Sequence, residues 1–385
     1  MTRIPNDFGF SEEHELLRQQ ARRFFEERCP ISEVRRLAED PLGHDPALWK
    51  ELGALGWVGL ALPEVHGGSG LGFLPLSLLL DEMGRRLVPS PYLPSLLGAL
   101  AIEAGGSDAQ QARWLPAIAS GERIATLALY EPSSGYEPAG VRATAEPTEG
   151  GFVLRGQKRF VLAGGCAQLL VAPFREPSGQ VSLFVVELPA KGITVENEIG
   201  TDPTRRTARM ALESVRVGRE ARLEGSGEAA LHRTHVRGFA VLAAEMVGAA
   251  DAALVMTRDY AINRKQFGRQ IGFFQAVKHP IVDVMIGIEL ARNHVLGAAA
   301  ALDHDSADAE ISARMAKSLA SDVFATAVRK GVQLHGGYGF TIDCDMHLYF
   351  KRALWSRATL GDGPHHRRHL AAALLDRDAV GAGAI

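Results

Sequence analysis

The sequence predicts an α+β multidomain chain in the order helical, β, helical, and three observations carry that prediction. Over the first ~120 residues apolar positions recur at helical spacing. After Arg123 the segments become short, alternating and β-branched, and from about Glu228 long helical periods return. The boundaries follow as 1–122, 123–228 and 229–385.

Ser11 precedes a segment with Leu17, Ala21, Phe24 and Phe25 on one helical face, Glu12 and Glu13 in its first turn and Pro30 at its end. Further helical patterns run through "DPALWKELGALG", "PLSLLLDEMGRRL" and "SDAQQARWLPAIAS", separated by punctuation such as "LPEVHGGSGLG". The β part reads "GGFVLRGQKRFVL", "VSLFVVELP", "GITVENEI" and "RMALESVRVG". In the last part Ile311, Met315, Leu319 and Val323 stand four apart and predict the buried stripe of a helix.

The chain has 385 residues, more than the roughly 250–300 at which a single core stops growing, so two or three packed units are expected. Its 42 Lys+Arg against 45 Asp+Glu leave a net charge of -3, which argues against a nucleic-acid or anionic-membrane surface. Cys29, Cys166 and Cys344 are odd in number and unpaired in spacing, so no disulfide framework or zinc site is expected. The N-terminus lacks a long apolar run, and the apolar segment "AVLAAEMVGAADAALVM" is interrupted by Glu245 and Asp251; a soluble, cytoplasmic protein is the expectation.

Two stretches carry chemistry. In "RKQFGRQIGFFQAVKH", Arg264 offers a planar fork suited to a pyrophosphate, Phe267 an aromatic face, and Gln275 a donor and acceptor for a purine edge. A solvated Arg with a core Phe is the alternative on local features. In "QLHGGYGF", Gly336 and Gly337 let backbone approach a ligand closely, or simply stop a helix.

Together with "PEVHGGSGLG" and "GQKRF", and in this α–β–α order, these stretches resemble the acyl-CoA dehydrogenase family over nearly the whole chain. The resemblance implies an N-terminal helical domain, a middle β-barrel-like domain and a C-terminal four-helix bundle, assembled as an oligomer. It further implies FAD as cofactor. Arg264, Phe267 and Gln275 would then hold the ADP half of a flavin bound mainly by the neighbouring subunit, with Gln333, Gly336 and Gly337 lining the same cleft. The substrate would be an acyl-CoA thioester and the electron acceptor an electron-transfer flavoprotein.

Family chemistry requires a base facing the flavin, and here the chain departs from the pattern. The family Glu falls twenty-seven residues after Gln333, on Leu360, and the alternative position twenty-six residues before Arg264 is Gly238. Two carboxylates remain as candidates. Glu245 lies on the same helical face as Gly238 about 10 Å farther along, where burial would raise its pKa; a structural carboxylate paired with an Arg or a helix end is the alternative. Asp362 is two residues past Leu360, and a helix cap before "HHRRHLAAALL" is its alternative.

The flavin-facing loop reads "YEPSSGYEP", with Tyr130 and Tyr136 where small hydroxyl residues are usual, and Phe160, Val161 and Leu162 replace the family's W-[IV]-T. Residues serving a neighbour's ADP moiety are kept while those serving this chain's own flavin ring and base are altered. The pattern is similar to the small-subunit, heteromeric bacterial type, such as the pimeloyl-CoA dehydrogenase small subunit. α,β-Dehydrogenation of an acyl-CoA, either self-sufficient with a relocated base in a homo-oligomer or as one subunit of a heteromer, is therefore the expectation; a non-catalytic partner subunit and a flavin oxidase or oxygenase on the same fold are the alternatives. His335, His365 and His366 are expected at the surface or in caps rather than on a metal, and Arg205 and Arg206 are left between a CoA phosphate contact and a solvated turn.

Overall fold

A computed structural model describes residues 8–375. Its chain order is helical, sheet, helical, as the sequence predicts. The N-terminal helices are α1 (Glu12–Arg28), α2 (Ile31–Glu39), α3 (Pro46–Ala54), α4 (Phe73–Arg85), α5 (Tyr92–Gly105) and α6 (Asp108–Ala119). Strands β1 (Ala125–Leu127), β2 (Thr144–Thr148), β3 (Gly151–Leu162), β4 (Leu169–Arg175), β5 (Val181–Glu187), β6 (Ile193–Glu198) and β7 (Thr207–Gly218) follow. The C-terminal part holds α7 (Gly227–Asn263), a minimal hairpin of β8 (Lys265–Gln266) and β9 (Arg269–Gln270), α8 (Gln275–Asp303), α9 (Ala309–His335), α10 (Met346–Ala358) and α11 (Gly363–Leu375). By contacts the chain forms two compact units. One comprises the residues up to Val34, Phe73–Val88 and those from Val236 on; the other comprises Arg35–Gly72 and Pro89–His235.

The second unit is built on one seven-stranded sheet, ordered β1-β4-β2-β3-β7-β6, with β5 along β4. Its core side chains, among them Leu154, Leu170, Phe174, Phe184 and Met210, are the inward halves of alternating strands. Glu131 is buried after β1, where its carboxylate accepts from the backbone N–H of Arg142 and Ala143 and from Lys158 Nζ at 2.7 Å. The fully buried Lys158 also donates to the Pro173 carbonyl at 2.8 Å, so one ion pair ties the 130–143 loop to β3 and β4. Arg206 donates to the carbonyls of Ala38 and Asp40, and Arg205 is buried, so this pair is part of the packed unit rather than a solvated turn.

In the first unit α4 crosses α7 with their backbones nearly touching. A Cβ on Gly84 would lie 2.0 Å from the Glu245 carbonyl oxygen, and one on Gly248 would lie 1.8 Å from that of Asp81. Asp303, the last residue of α8, accepts from the N–H of Phe73 and Leu74 at 2.6 and 2.9 Å and so caps α4 from outside its own sequence. Arg22 on α1 bonds Glu82, Arg85 bonds Asp251 on α7, and Arg292 on α8 bonds Asp81. Each charge in this layer therefore meets an opposite one.

The apolar helix α7 is long enough to cross a membrane, but most of its apolar stretch is buried inside the unit, as a core helix is. On α9 the helical period is as predicted but the buried face is different: Ala313, Ala316, Lys317, Ala320 and Phe324 are inside, whereas Met315 is 37% exposed. Small alanines let neighbouring helices approach, and the larger stripe is displaced outward. His335 and His366 are also buried, against the expectation of surface or capping roles. His335 stacks on Tyr260 with ring centroids 4.4 Å apart, and His366 meets the Phe239 ring edge-on at 4.6 Å.

The α4–α7 contact makes the first test. Gly84→Ala and Gly248→Ala are each expected to lower stability by about 2 kcal/mol or more, because backbone must give way. Urea midpoints measure this. An unchanged midpoint in both would contradict the crossing.

Candidate functional site

At the end of α7 the chain turns through the β8–β9 hairpin, whose two-residue loop is Phe267 and Gly268 at φ 53 and 77. Two positive φ values are what a tight I′ turn demands, and glycine meets the demand without strain while phenylalanine does not. Phe267 is 89% exposed at this tip, its ring edge-on to that of Phe274 at 6.0 Å. A strained backbone that holds an aromatic ring in solvent suits a ligand better than a core.

Arg264 is exposed just before the hairpin, and its guanidinium makes no ion pair with a described residue. It lines a cleft of about 730 Å³ together with Tyr260, His335, Gly336, Gly337 and Tyr338. Gly336 ends α9 at φ 62 and ψ -142, a conformation only glycine adopts readily, and its N–H closes on the Gln333 carbonyl. A Cβ on Gly336 or Gly337 would meet nothing within 4 Å, so the wall of the cleft is open backbone. Gln333 and Gln275 are exposed at the end of α9 and the start of α8. Arg264, Gly336 and Gly337 thus share one cleft: an unpaired bidentate cation, bare backbone and stacked rings, a donor set that fits a nucleotide diphosphate. The stacked rings of Tyr260 and Tyr338 at its wall went unnoticed in the sequence; their signal was the Tyr four residues before Arg264 and the Tyr after the glycine pair.

The candidate bases lie elsewhere in the same unit. Leu360 is buried at φ 56 in the turn between α10 and α11, and Gly238 is buried in α7. Neither has an ionisable group. Glu245 is buried in α7 and hydrogen-bonded to the guanidinium of Arg352 on α10, itself 1% exposed. That is the internal carboxylate–Arg pair held open as the alternative, and a base so engaged could accept a proton only by leaving a buried cation uncompensated. Asp362 precedes α11 and accepts the N–H of His365 at 2.9 Å, the geometry of an N-cap. This bond is the main reason its carboxyl sits below the ordinary carboxylate range, with Arg357 and Arg368 adding to it. A lowered pKa makes a poorer base.

In the second unit a register shift between β3 and β7 at Lys158–Val161 turns Phe160 outward at φ 52, 54% exposed. Its N–H donates to Glu198 at 2.8 Å, and Arg159 bonds the same carboxylate. Tyr136 points the other way, buried with its ring edge-on to His235 at 4.9 Å, and Tyr130 is half-buried beside it.

Residues 11–122 match the profile of the acyl-CoA dehydrogenase N-terminal domain, 126–215 that of the middle domain and 228–375 that of the C-terminal domain. The acyl-CoA dehydrogenase IpdE2 of Mycobacterium tuberculosis is 33% identical over 343 residues, covering 89% of this chain and 91% of that protein. Among solved structures, a variant of the steroid acyl-CoA dehydrogenase Tcur3481–Tcur3483 is 33% identical with a TM-score of 0.85, covering 97% of this chain and 99% of that one. A chain of the ChsE4–ChsE5 complex from Mycobacterium tuberculosis is 28% identical with a TM-score of 0.87, covering 96% and 98%.

Arg352→Met strands a buried carboxylate and is expected to cost about 3–5 kcal/mol in urea unfolding, most of it regained in the Glu245→Leu, Arg352→Leu pair. Equal losses in single and double variants would contradict the pairing. Asp362→Ala is expected to cost about 1 kcal/mol at neutral pH. Because the folded carboxyl is lowered, this contribution is full above the unfolded value and fades as pH falls through the folded one.

Proposed function

The chain belongs to the acyl-CoA dehydrogenase family of oxidoreductases, and on that premise we propose that it is the subunit of a FAD-dependent heteromer that contributes nucleotide contacts rather than the catalytic base. FAD supplies the acceptor for a hydride from the acyl β-carbon when bound. Arg264 would fork onto its pyrophosphate, Phe267 would pack on its adenosine half, and Gln275 and Gln333 would meet polar edges of the same moiety. Gly336 and Gly337 would let the phosphates approach backbone.

The observation that carries this reading is an asymmetry. The nucleotide cleft has an unpaired cation, and the hairpin beside Arg264 holds the Phe267 ring in solvent, while every position where a base is expected is apolar, ion-paired or engaged as a cap. Removal of the acyl α-proton then falls to a carboxylate of a paralogous subunit. At the Leu360 turn a thioester carbonyl would meet backbone and no ionisable side chain, a role that needs position alone.

An unpartnered apolar face supports assembly. Val282, Met285, Ile286 and Leu290 recur on one side of α8 and are 45–53% exposed. The similar structures named above as Tcur3481–Tcur3483 and ChsE4–ChsE5 are each named for two components. The substrate class is an acyl-CoA, with bulky side-chain or steroid-derived acyl groups as the proposed members, and the acceptor is an electron-transfer flavoprotein.

Co-expression with a paralogous subunit tests this. The purified complex is expected to hold flavin and to oxidise acyl-CoA, and the chain alone to hold little. Arg264→Ala should cut the flavin content of the complex at least ~10-fold, whereas Asp362→Asn, which keeps the cap, should leave turnover unchanged. Turnover by the isolated chain would overturn the proposal.

A further inference from the structure

Lys317, in the middle of α9, is fully buried and has no part in the nucleotide cleft. Its Nζ lies 2.9 Å from the Gly361 carbonyl oxygen, 3.1 Å from that of Ser356 and 3.2 Å from Ser321 Oγ. Ser356 is in the last turn of α10, where carbonyls have no partner within the helix and a cation also meets the negative end of the helix dipole. Gly361 follows Leu360 in the turn, and both have positive φ, 90 and 56. The Ser321 hydroxyl spends its own hydrogen on the Lys317 carbonyl at 2.7 Å, so its oxygen is left to accept. Three acceptors therefore face the three N–H groups of one ammonium. The next residue of α9 repeats the arrangement, Ser318 Oγ donating to the Gly363 carbonyl at 3.3 Å.

We propose that Lys317 is a positioning residue: it ties the end of α10 to the Gly361 carbonyl, fixes the left-handed turn at Leu360, and couples opening of that turn to uptake of a proton. The turn seals the amine from water. Burial is the main reason the side chain gives up its proton near neutrality, pushed down to about 7, with Asp362 in the turn and Asp322 on α9 opposing and Arg357 on α10 assisting. His366 on α11, pushed down to about 3 by burial and by Lys317, Arg314 and His365 against an opposing hydrogen bond to the Leu360 backbone, stays neutral beside the turn.

The sign follows from linkage. An opened turn rehydrates the ammonium and returns it toward its ordinary value of 10.5, so the open state holds the extra proton between about 7 and 10.5. Closing releases that proton. The closed turn is thus least favoured below about pH 7 and gains as pH rises above it. Its bearing on a thioester rests on the function proposed above; the clamp itself is tested without substrate, so the two fail separately.

Hydrogen exchange of peptides spanning residues 356–364, corrected for intrinsic rates, reads the turn directly. Lys317→Met removes this donor from the Ser356 and Gly361 carbonyls and is expected to speed exchange there roughly tenfold or more while α7 and α8 keep their protection. In the unaltered protein, protection of the turn should rise by up to about tenfold per unit between pH 7 and 9, and this dependence should vanish in Lys317→Met. Unchanged protection in the variant, or an equal rise in exchange throughout the unit, would overturn the positioning role. A flat pH profile in the unaltered protein would overturn the coupling even if the variant failed to fold.

Discussion

A charge inside an apolar helix must find its partner, and the pairing of Glu245 with Arg352 is the constraint on which the first unit depends. α7 is apolar on nearly every face through its middle, and Glu245 breaks that run at the level where Gly84 and Gly248 bring α4 and α7 into backbone contact. At 4% exposure the carboxylate is tolerable because Arg352 reaches it from α10. Fixing Arg352 fixes α10, and the end of α10 sets where the Leu360 turn begins. Lys317 then holds that turn from the α9 side. The ionisable groups nearest the expected place of the base are thereby given over to holding backbone.

The same accounting explains the asymmetry between nucleotide and base. Holding a diphosphate needs exposed donors and bare backbone, which Arg264 and the Gly336–Gly337 segment provide at an open cleft. Taking a proton needs a carboxylate free to change charge, and a paired buried Glu or a capping Asp is not free in that sense. Leu360 retains only what its backbone can do. Under the function proposed, a subunit that keeps the first set and lacks the second would serve as half of a shared site.

What was legible in the sequence was local. The order of helical and β parts came from periodicity, and the helix stop at Gly336 was visible because glycine has a conformational meaning, whereas the hairpin at Phe267–Gly268 was not read. The capping of α11 by Asp362 was readable for the same reason. What was hidden was long-range. Nothing near Glu245 announces a partner more than a hundred residues away, and nothing near Phe73 announces a cap from Asp303. On α9 the larger apolar residues suggested one buried face, while the close packing of Ala313, Ala316 and Ala320 chose the other and carried Lys317 inside with it. Arg205, His335 and His366 are buried as well, and Arg206 reaches the Ala38 and Asp40 carbonyls far from it in sequence.

On the function proposed, no base among the described residues is able to remove an acyl α-proton. Exchange of that proton with solvent measures it most directly, because enolisation replaces it with deuterium whether or not oxidation follows. With excess FAD and a saturated acyl-CoA in deuterium oxide, the chain alone is predicted to leave the α-position unlabelled at the rate of buffer, as followed by proton NMR. Faster deuterium incorporation by the chain alone would place a working base within it and contradict the account.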